Sequence, residues 1–403
     1  MTRRAILSTA LLSVAIPIFC SIFWSLDANV LLLFYDAYLT RSGSRISNSD
    51  GIARRTFRPG STPLEGKTIW ITGASSGIGA ELALQLTTAG AGHLILSGRR
   101  KEKLESVGQS CLDASRQMTM QADGHREDMR VSIVPFDMLS PPDVLDAAVS
   151  NAIEAASPAN GIDILVLNAG QYQLSPALET DLDVALPDLM QINFASPVQL
   201  SQKLMRRNKW KERGHGHVVA VASVMGRGPC PLNALYSATK HALMAYFHSL
   251  AGEERSWLRV DVVLPGATAT GLWNASSRRG IAEDSDSNNS QAEEREPHAD
   301  DRSKMSVDRC ARLIISGMIG PNAFFFETWV AKNPGLLWAY LAYVMHTMHH
   351  WLVKEIVAPI RLDMWRKTGE DGLYVPTLLG HVWSCVVDYF AGESDRLLPR
   401  ADG

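Results

Sequence analysis

The sequence predicts an α/β fold: a doubly wound parallel sheet with helices on both faces, preceded by an N-terminal transmembrane helix and followed by an aromatic helical tail. Three observations carry this expectation. Short runs rich in Val, Ile and Leu alternate with stretches of helical periodicity between residues 67 and 326. A glycine-rich turn follows the first of those runs directly. At the N-terminus, the run 5–26 contains no charged residue.

That first run, at about 1.5 Å of rise per residue, is long enough for a bilayer core of about 30 Å. A secretory signal would have a shorter apolar core and a small-x-small cleavage site, which does not follow here. Asp27 and Asn29 end the run, and Pro17 would kink it, as bilayer helices tolerate. Residues 27–63 read as an interfacial segment, with the short apolar patch 30–34, and a polar, basic linker from residue 41.

Strands are predicted at 67–71, 93–96, 131–136, 162–167, 217–222, 259–264 and 323–326. Most of these runs are continuously apolar, as expected for strands covered by helices on both faces. Helices are predicted at 80–89, 101–115, 143–156, 189–206, 235–255 and 307–318. Strand and helix alternating over this distance imply one doubly wound domain, residues 64–330. Two segments break the rhythm. The stretch 111–130 reads as a surface excursion, and 275–304, rich in Ser, Asn, Asp and Glu, as a disordered insertion. Residues 331–403 form an extension with Trp338, Tyr340, Tyr343 and Trp351 in one patch and a second patch at 374–390. His346, His349 and His350 suit neither a bilayer interior nor, without Cys or carboxylate company, a metal site. The expectation is an amphipathic element lying on a membrane or over the substrate cleft.

Composition narrows the function classes. The 403 residues carry a net charge of −3 and no concentrated basic stripe outside 41–58, so nucleic acid is not an expected partner. Five scattered cysteines, Cys20, Cys111, Cys230, Cys310 and Cys385, lack any CxxC pairing and read as free thiols.

The chemistry sits at strand ends. Thr72-Gly73-Ala74-Ser75-Ser76-Gly77-Ile78-Gly79 links the first strand to a helix. Its glycines permit a tight turn and close backbone approach to a pyrophosphate, and the helix N-terminal amides would face the phosphates. Asn168-Ala169-Gly170 ends the fourth strand and Ser223 the fifth. Tyr236 and Lys240 then lie four apart, on one helical face. Taken singly, each of these has a plainer reading: a buried serine, an aromatic at a helix start, a solvated lysine.

Together, TGxxxGxG, NAG, Asn193, Ser223 and YxxxK resemble the short-chain dehydrogenase/reductase superfamily from about residue 67 to 327. Ser303-Lys304-Met305-Ser306-Val307-Asp308-Arg309-Cys310 and the aromatic tail are most similar to its member-seven branch, a membrane-associated branch linked to retinoid and steroid carbonyls. The resemblance implies a Rossmann fold and hydride transfer between a nicotinamide and a carbonyl or alcohol. It implies that Tyr236 exchanges the proton with the substrate oxygen and that Ser223 orients that oxygen. Lys240 would favour the tyrosine's phenolate and bind the ribose hydroxyls, while Asn193 would hold a water leading from Lys240 to solvent. Gly73, Ser75, Ser76, Gly77, Ile78, Gly79, Asn168, Ala169 and Gly170 would form the cofactor cradle with Tyr236 and Lys240. Pro265, Gly266 and Thr270 match the element that meets the nicotinamide carboxamide. Asp137 would meet the adenine amino group, its alternative being a turn cap. Leu167 departs from relatives that carry a second asparagine there, while the Asn168-Ala169-Gly170 motif is intact.

Cofactor choice rests on Leu96-Ser97-Gly98-Arg99-Arg100, which ends the second strand without a carboxylate. Arg99 can pair bidentately with a 2′-phosphate, so NADP(H) is expected, with NAD(H) left open. The expected substrate is a lipophilic small molecule of steroid or retinoid type. Alternatives are a membrane-bound reductase of long-chain keto-sphingoid bases and an inactive cofactor-binding sensor or scaffold. Membrane lipid is a further expected partner and a homodimer a possible assembly. The expected location is the endoplasmic reticulum membrane, single-pass, with the domain facing the cytosol.

Overall fold

All five residues of strand β3, Thr68–Thr72, are buried, and the two cores of the molecule meet across it. In the computed structural model, residues 45–47, 53–55, 64–121, 129–157, 161–254, 256–272, 304–319 and 327–330 are described. Strands β1 (Arg45–Ser47) and β2 (Ala53–Arg55) pair antiparallel as a separate two-stranded ladder within the stretch expected to be a linker. The central sheet has seven strands in the order β5-β4-β3-β6-β7-β8-β9, every neighbouring pair parallel. The other strands are β4 (His93–Ser97), β5 (Arg130–Ile133), β6 (Ile164–Leu167), β7 (Gly216–Val221), β8 (Leu258–Pro265) and β9 (Glu327–Val330).

The two-residue period of a strand sorts the side chains into two cores. Ile69, Ile71, Leu94, Leu96, Ile164, Val166, Val219 and Val221 face one side. There they meet helices α1 (Gly77–Thr88), α2 (Lys101–Gln121) and α8 (Val307–Ile319) through Leu82, Leu86, Leu104 and Ile314. Trp70, Ile95, Leu165, Leu167, Val218, Ala220 and Val262 face the other side. Their partners are Leu145, Val149, Leu200, Leu204, Leu243 and Phe247 on α3 (Pro142–Ala156), α5 (Ser196–Arg207) and α7 (Ala234–Glu253). Each buried Leu, Ile, Val or Phe contributes about 1.5–3 kcal/mol, so these two layers dominate stability. On the second side the indole of Trp70 is satisfied, its Nε1 donating to Ser97 Oγ at 2.8 Å.

Several expectations need correction. The transmembrane helix in the expected fold class, and the membrane location inferred from it, are not supported. Among the described residues no helix is long and apolar enough to cross a membrane. The run 5–26 itself lies outside the described residues. The helices packed on the sheet bury one face against it. The corrected class is a doubly wound parallel sheet with helices on both faces. The segments 27–44, 275–303 and 331–403 likewise lie outside the described residues.

Element boundaries also move. The excursion expected from residue 111 is largely helix, since α2 continues to Gln121 with Cys111 and Met118 on its buried face. The last described strand is Glu327–Val330, and the strand expected at 323–326 lies outside the described residues. The helix expected at 189–206 is interrupted: α4 (Leu182–Met190) passes through a π turn, Gln191–Ala195, into α5. Cys111, Cys230 and Cys310 form no disulfide, and Cys20 and Cys385 lie outside the described residues.

The amino end of the sheet is closed by ions. Asp163 accepts from Thr68 N at 3.0 Å and from Arg213 Nη2 at 3.0 Å, with both side chains largely buried. The short helix α6 (Trp210–Arg213) holds that arginine in place. Asp163→Ala would strand a backbone amide and a guanidinium. Stability should fall by about 2–3 kcal/mol. In urea unfolding this would appear as a lower midpoint with an unchanged slope.

Candidate active site

In a parallel sheet all carboxyl ends share one edge, and the chain order here reverses between β3 and β6. That reversal opens a crevice, because the connections leave β3 and β6 in opposite directions. Gly73 lies at the crevice with φ +67, so close to Ala169 that a Cβ would come within 2.8 Å of its Cα. At Gly79 a Cβ would collide with the Gly73 carbonyl and the Asn168 amide. Only glycine fits either place. Ser76 is extended and its side chain does not cap α1, whose first turn carries no acidic residue. The result is an open helix N-terminus above a glycine turn, the geometry that receives phosphate.

Thr72 and Asn168 fasten the two strand ends together. Thr72 Oγ1 donates to Val166 O and accepts from Asn168 N at 3.1 Å and Ala169 N at 3.2 Å. Asn168 Nδ2 returns to the carbonyls of Thr72 and Gly73, at 3.1 and 3.2 Å. The asparagine of the motif therefore shapes the glycine turn from beneath.

Ser223, Tyr236 and Lys240 come together beyond β7. Ser223 caps the short turn Val224–Gly226, accepting from Met225 N at 3.2 Å, and its hydroxyl also eases ionisation of the Tyr236 phenol. Both the plain reading and the functional one are thus present in one hydroxyl. Tyr236 is buried, and that burial pushes its phenol up to about 12. Lys240 lies one helical turn on, its Nζ 5.8 Å from the Tyr236 ring centre and donating to Val221 O at 3.0 Å. Burial lowers its ammonium to about 8. The phenolate-favouring role expected of Lys240 belongs to the complex with a positive nicotinamide, and in the chain alone desolvation opposes it. Desolvation outweighs every other influence, and the phenol is protonated at neutral pH.

Asn193 lies within the π turn, fully buried. Its Oδ1 accepts from Gln171 N at 2.9 Å, and its Nδ2 donates to Gln171 O at 2.9 Å and Thr239 Oγ1 at 3.1 Å. It connects the segment after β6 to the turn of α7 that carries Lys240. Gly170 lies between: a Cβ there would be 3.2 Å from Asn193 Oδ1 and 3.4 Å from Lys240 Nζ.

At the end of β4, Arg99 Nη1 lies 3.9 Å from Asp137 Oδ2, and both side chains are exposed enough to meet a ligand. Asp137 also caps its own turn, accepting from Leu139 N at 3.0 Å. Arg100 Nη2 donates to Ser76 Oγ at 3.1 Å, which places a second cation over the glycine turn. Ser75 packs near Gly98, and Ile78 is half buried behind the turn. On the other side Ser223 Oγ reaches Pro265 O at 3.5 Å, and Gly266 opens the segment that brings Thr270 over Gly77. The catalytic and cofactor-binding residues expected from the sequence therefore lie along one edge.

Sequence reasoning missed Thr72, Thr239, Tyr172 and Arg100. Thr72 and Thr239 stand inside the motifs as written, but a buried hydroxyl has no spacing signature. Arg100 was part of the quoted run, and only the fold distinguishes it from its neighbour. Among the described residues no cluster of metal-ligating side chains occurs. This arrangement can hold an anion at the turn and deliver a proton from a buried phenol.

A family-wide sequence pattern described as short chain dehydrogenase matches residues 67–280. Dehydrogenase/reductase SDR family member 7 of Mus musculus is 32% identical over 289 residues, covering 70% of this chain and 76% of its own length. The Homo sapiens protein of that name is 30% identical, covering 72% and 77%. A hydroxysteroid 11-beta-dehydrogenase 1-like protein of Gallus gallus is 38% identical over 204 residues, 50% of this chain and 62% of that one. Among solved structures, a short-chain dehydrogenase of Sphingobium yanoikuyae in complex with NADPH aligns at TM-score 0.51 and 23% identity, covering 72% of this chain and 96% of its own. One of Burkholderia cenocepacia in complex with NADP aligns at TM-score 0.51 and 22% identity, covering 72% and 98%. These two likenesses bear on the fold.

The buried lysine has a thermodynamic signature. Below about pH 8 Lys240 is charged in both folded and unfolded chains, so its desolvation penalty is fully present. Between about 8 and 10.5 the unfolded chain binds more protons, so stability rises with pH across that window. Cys310 and Tyr236, whose ionisation burial delays, act in the opposite sense above about pH 9 and 10. Urea unfolding between pH 8 and 9 should therefore show stability rising in the wild type and flat in Lys240→Met. An equal rise in both would assign it to other groups.

Proposed function

The chain is an oxidoreductase of the short-chain dehydrogenase family, and we propose that it interconverts a carbonyl and an alcohol on a lipophilic small molecule of steroid or retinoid type, with NADP(H). The observation that carries this reading is the convergence of Ser223, Tyr236 and Lys240 at the carboxyl edge, beside the glycine turn. The domain that would do this work is residues 64–330.

The residues of the crevice fit a dinucleotide. Gly73, Gly77 and Gly79 leave backbone where side chains would stand, and the open N-terminus of α1 favours phosphate. The β4 end offers Arg99 and Arg100, together with Ser75 and Ser76, to a 2′-phosphate. Two similar folds were solved with NADPH or NADP, which supports the same choice here. Asn168, Ala169 and Gly170 would floor the site. Asp137, with one oxygen engaged in its turn, would offer the other to the adenine amino group. Pro265, Gly266 and Thr270 would meet the carboxamide end.

A nicotinamide bound there supplies or accepts the hydride. The chain's own task is the proton. For reduction, Ser223 holds the carbonyl oxygen, and Tyr236, neutral at physiological pH, donates its proton to that oxygen as the hydride arrives. The phenolate left behind is stabilised by the Lys240 ammonium and regains a proton through it. Asn193 acts by holding Gln171 and Thr239, hence the spacing between Lys240 and Gly170. The apolar cluster of Tyr172, Leu174, Leu232 and Met225 around Tyr236 suits a lipophilic substrate, and the similarity to a hydroxysteroid dehydrogenase-like protein supports that class.

Purified protein should oxidise NADPH in the presence of steroid or retinoid carbonyls. Turnover only with keto-sphingoid bases would reassign the substrate, and none with any of the three would point to a cofactor-binding sensor. Tyr236→Phe should lower turnover by about 10²–10⁴-fold while NADPH still binds, as a fluorescence titration would show. Wild-type turnover in that variant would sink the mechanism. Arg99→Glu should weaken NADPH far more than NADH, because only the former carries the 2′-phosphate it repels. Equal weakening of both would make Arg99 merely structural.

A further inference from the structure

The segment that leaves Gly170 runs alongside the start of α7 and is tied to it on both sides of Tyr236. Gln171 is bonded at its N–H and its carbonyl by Asn193. Next in line, the ring of Tyr172 stands against Tyr236, centres 5.0 Å apart and planes at 67°. The carbonyl of Gln173 accepts from Asn233 Nδ2 at 2.6 Å, and Ser175 N donates to Leu232 O at 3.0 Å. Behind this, Gln173 Nε2 reaches Ser175 Oγ at 2.5 Å and Thr180 Oγ1 at 3.2 Å, all buried.

Leu232 shows that this contact is enforced. Its φ is +67, a conformation that a residue with a Cβ adopts only when its surroundings impose it. That bend turns the buried Leu232 side chain into the same cluster as Tyr172, Leu174 and Tyr236. Strain of this kind concentrates where geometry is functional.

Resting on the reading that Tyr236 exchanges the proton, we infer that Tyr172 is a positioning residue, its ring fixing the direction in which the Tyr236 hydroxyl approaches the substrate oxygen. The contact is edge-to-face, a geometry that aromatic rings favour over plain stacking. With the Lys240 ammonium also 5.8 Å from the Tyr236 ring centre, the phenol is flanked by a ring and a cation. A phenol free to swing would spend less time in line with the reacting oxygen.

Three substitutions separate this from a packing or substrate-contact role. Tyr172→Leu keeps an apolar side chain but loses the ring; kcat should fall, by up to about 100-fold for a displacement on the order of 1 Å. Substrate KM and NADPH affinity should hold, and the melting temperature should change little. Tyr172→Phe keeps the ring and should retain kcat. Combined with Tyr236→Phe, the Tyr172→Leu loss should disappear, since residues acting through one another are not additive. Should Tyr172→Leu not fold, Asn233→Ala, which loosens the other end of the segment, is read by the same criteria. Unchanged kcat, a loss confined to KM, an equal loss in Tyr172→Phe, or a loss that persists in the Tyr236→Phe background would each overturn the inference. Failure of the functional reading looks different: Tyr236→Phe itself would then remain active.

Discussion

Both faces of the parallel sheet are buried, and the remaining features of this chain follow from that. A strand covered on two sides offers no surface along its length, so reactive side chains can stand only at its ends. Parallel pairing puts all carboxyl ends on one edge, and reversal of strand order between β3 and β6 parts that edge into a crevice. Backbone groups at the parting lose their ladder partners, and Thr72 and Asn168 replace them with five hydrogen bonds. Removing that pair would unseal the crevice before any ligand enters it.

What was legible in the sequence follows the same physics. Doubly buried strands must be continuously apolar, which is why runs such as Ile69-Trp70-Ile71 and Val218-Val219-Ala220 announce themselves. The glycine turn was legible because Gly73 and Gly79 have no steric alternative. Edges were harder. Strand β5 is partly exposed and β9 closes the opposite side, so neither carries an uninterrupted apolar signal. Helix α2 extends past the expected end because its later turns bury only Cys111 and Met118 while the rest faces water. A polar stretch with a narrow buried stripe looks like a loop until a sheet is laid against it. The N-terminal run shows the limit of such a signal: apolar length alone suggests a bilayer span, the run lies outside the described residues, and among those no helix is long and apolar enough to cross a membrane.

The site itself was legible as a set of residues, but not as a balance of forces. Spacing places Tyr236 and Lys240 on one helical face, yet spacing is silent about desolvation. Burial acts on both groups in opposite chemical senses, pushing the phenol up to about 12 and the ammonium down to about 8. Each shift favours the neutral form, so proximity of cation and phenol does not by itself yield a phenolate. A negative charge on the tyrosine becomes favourable only once proton transfer to a substrate offsets the desolvation cost.

Asn193 shows why a catalytic constellation can depend on residues that touch no reactant. A π turn inserts one extra residue into a helix, and such turns are retained where a side chain must be re-aimed. Here the turn directs Asn193 inward, where its amide is committed to Gln171 and Thr239. Gln171 leads into the Tyr172 contact, and Thr239 adjoins Lys240, so one buried amide sets the separation between the tyrosine's flank and the lysine's turn. Gly170 lies in the space this leaves, where even a methyl group would press between the Asn193 oxygen and the Lys240 ammonium. The glycine of the Asn168-Ala169-Gly170 motif is therefore needed less for its backbone freedom than for the volume it leaves open.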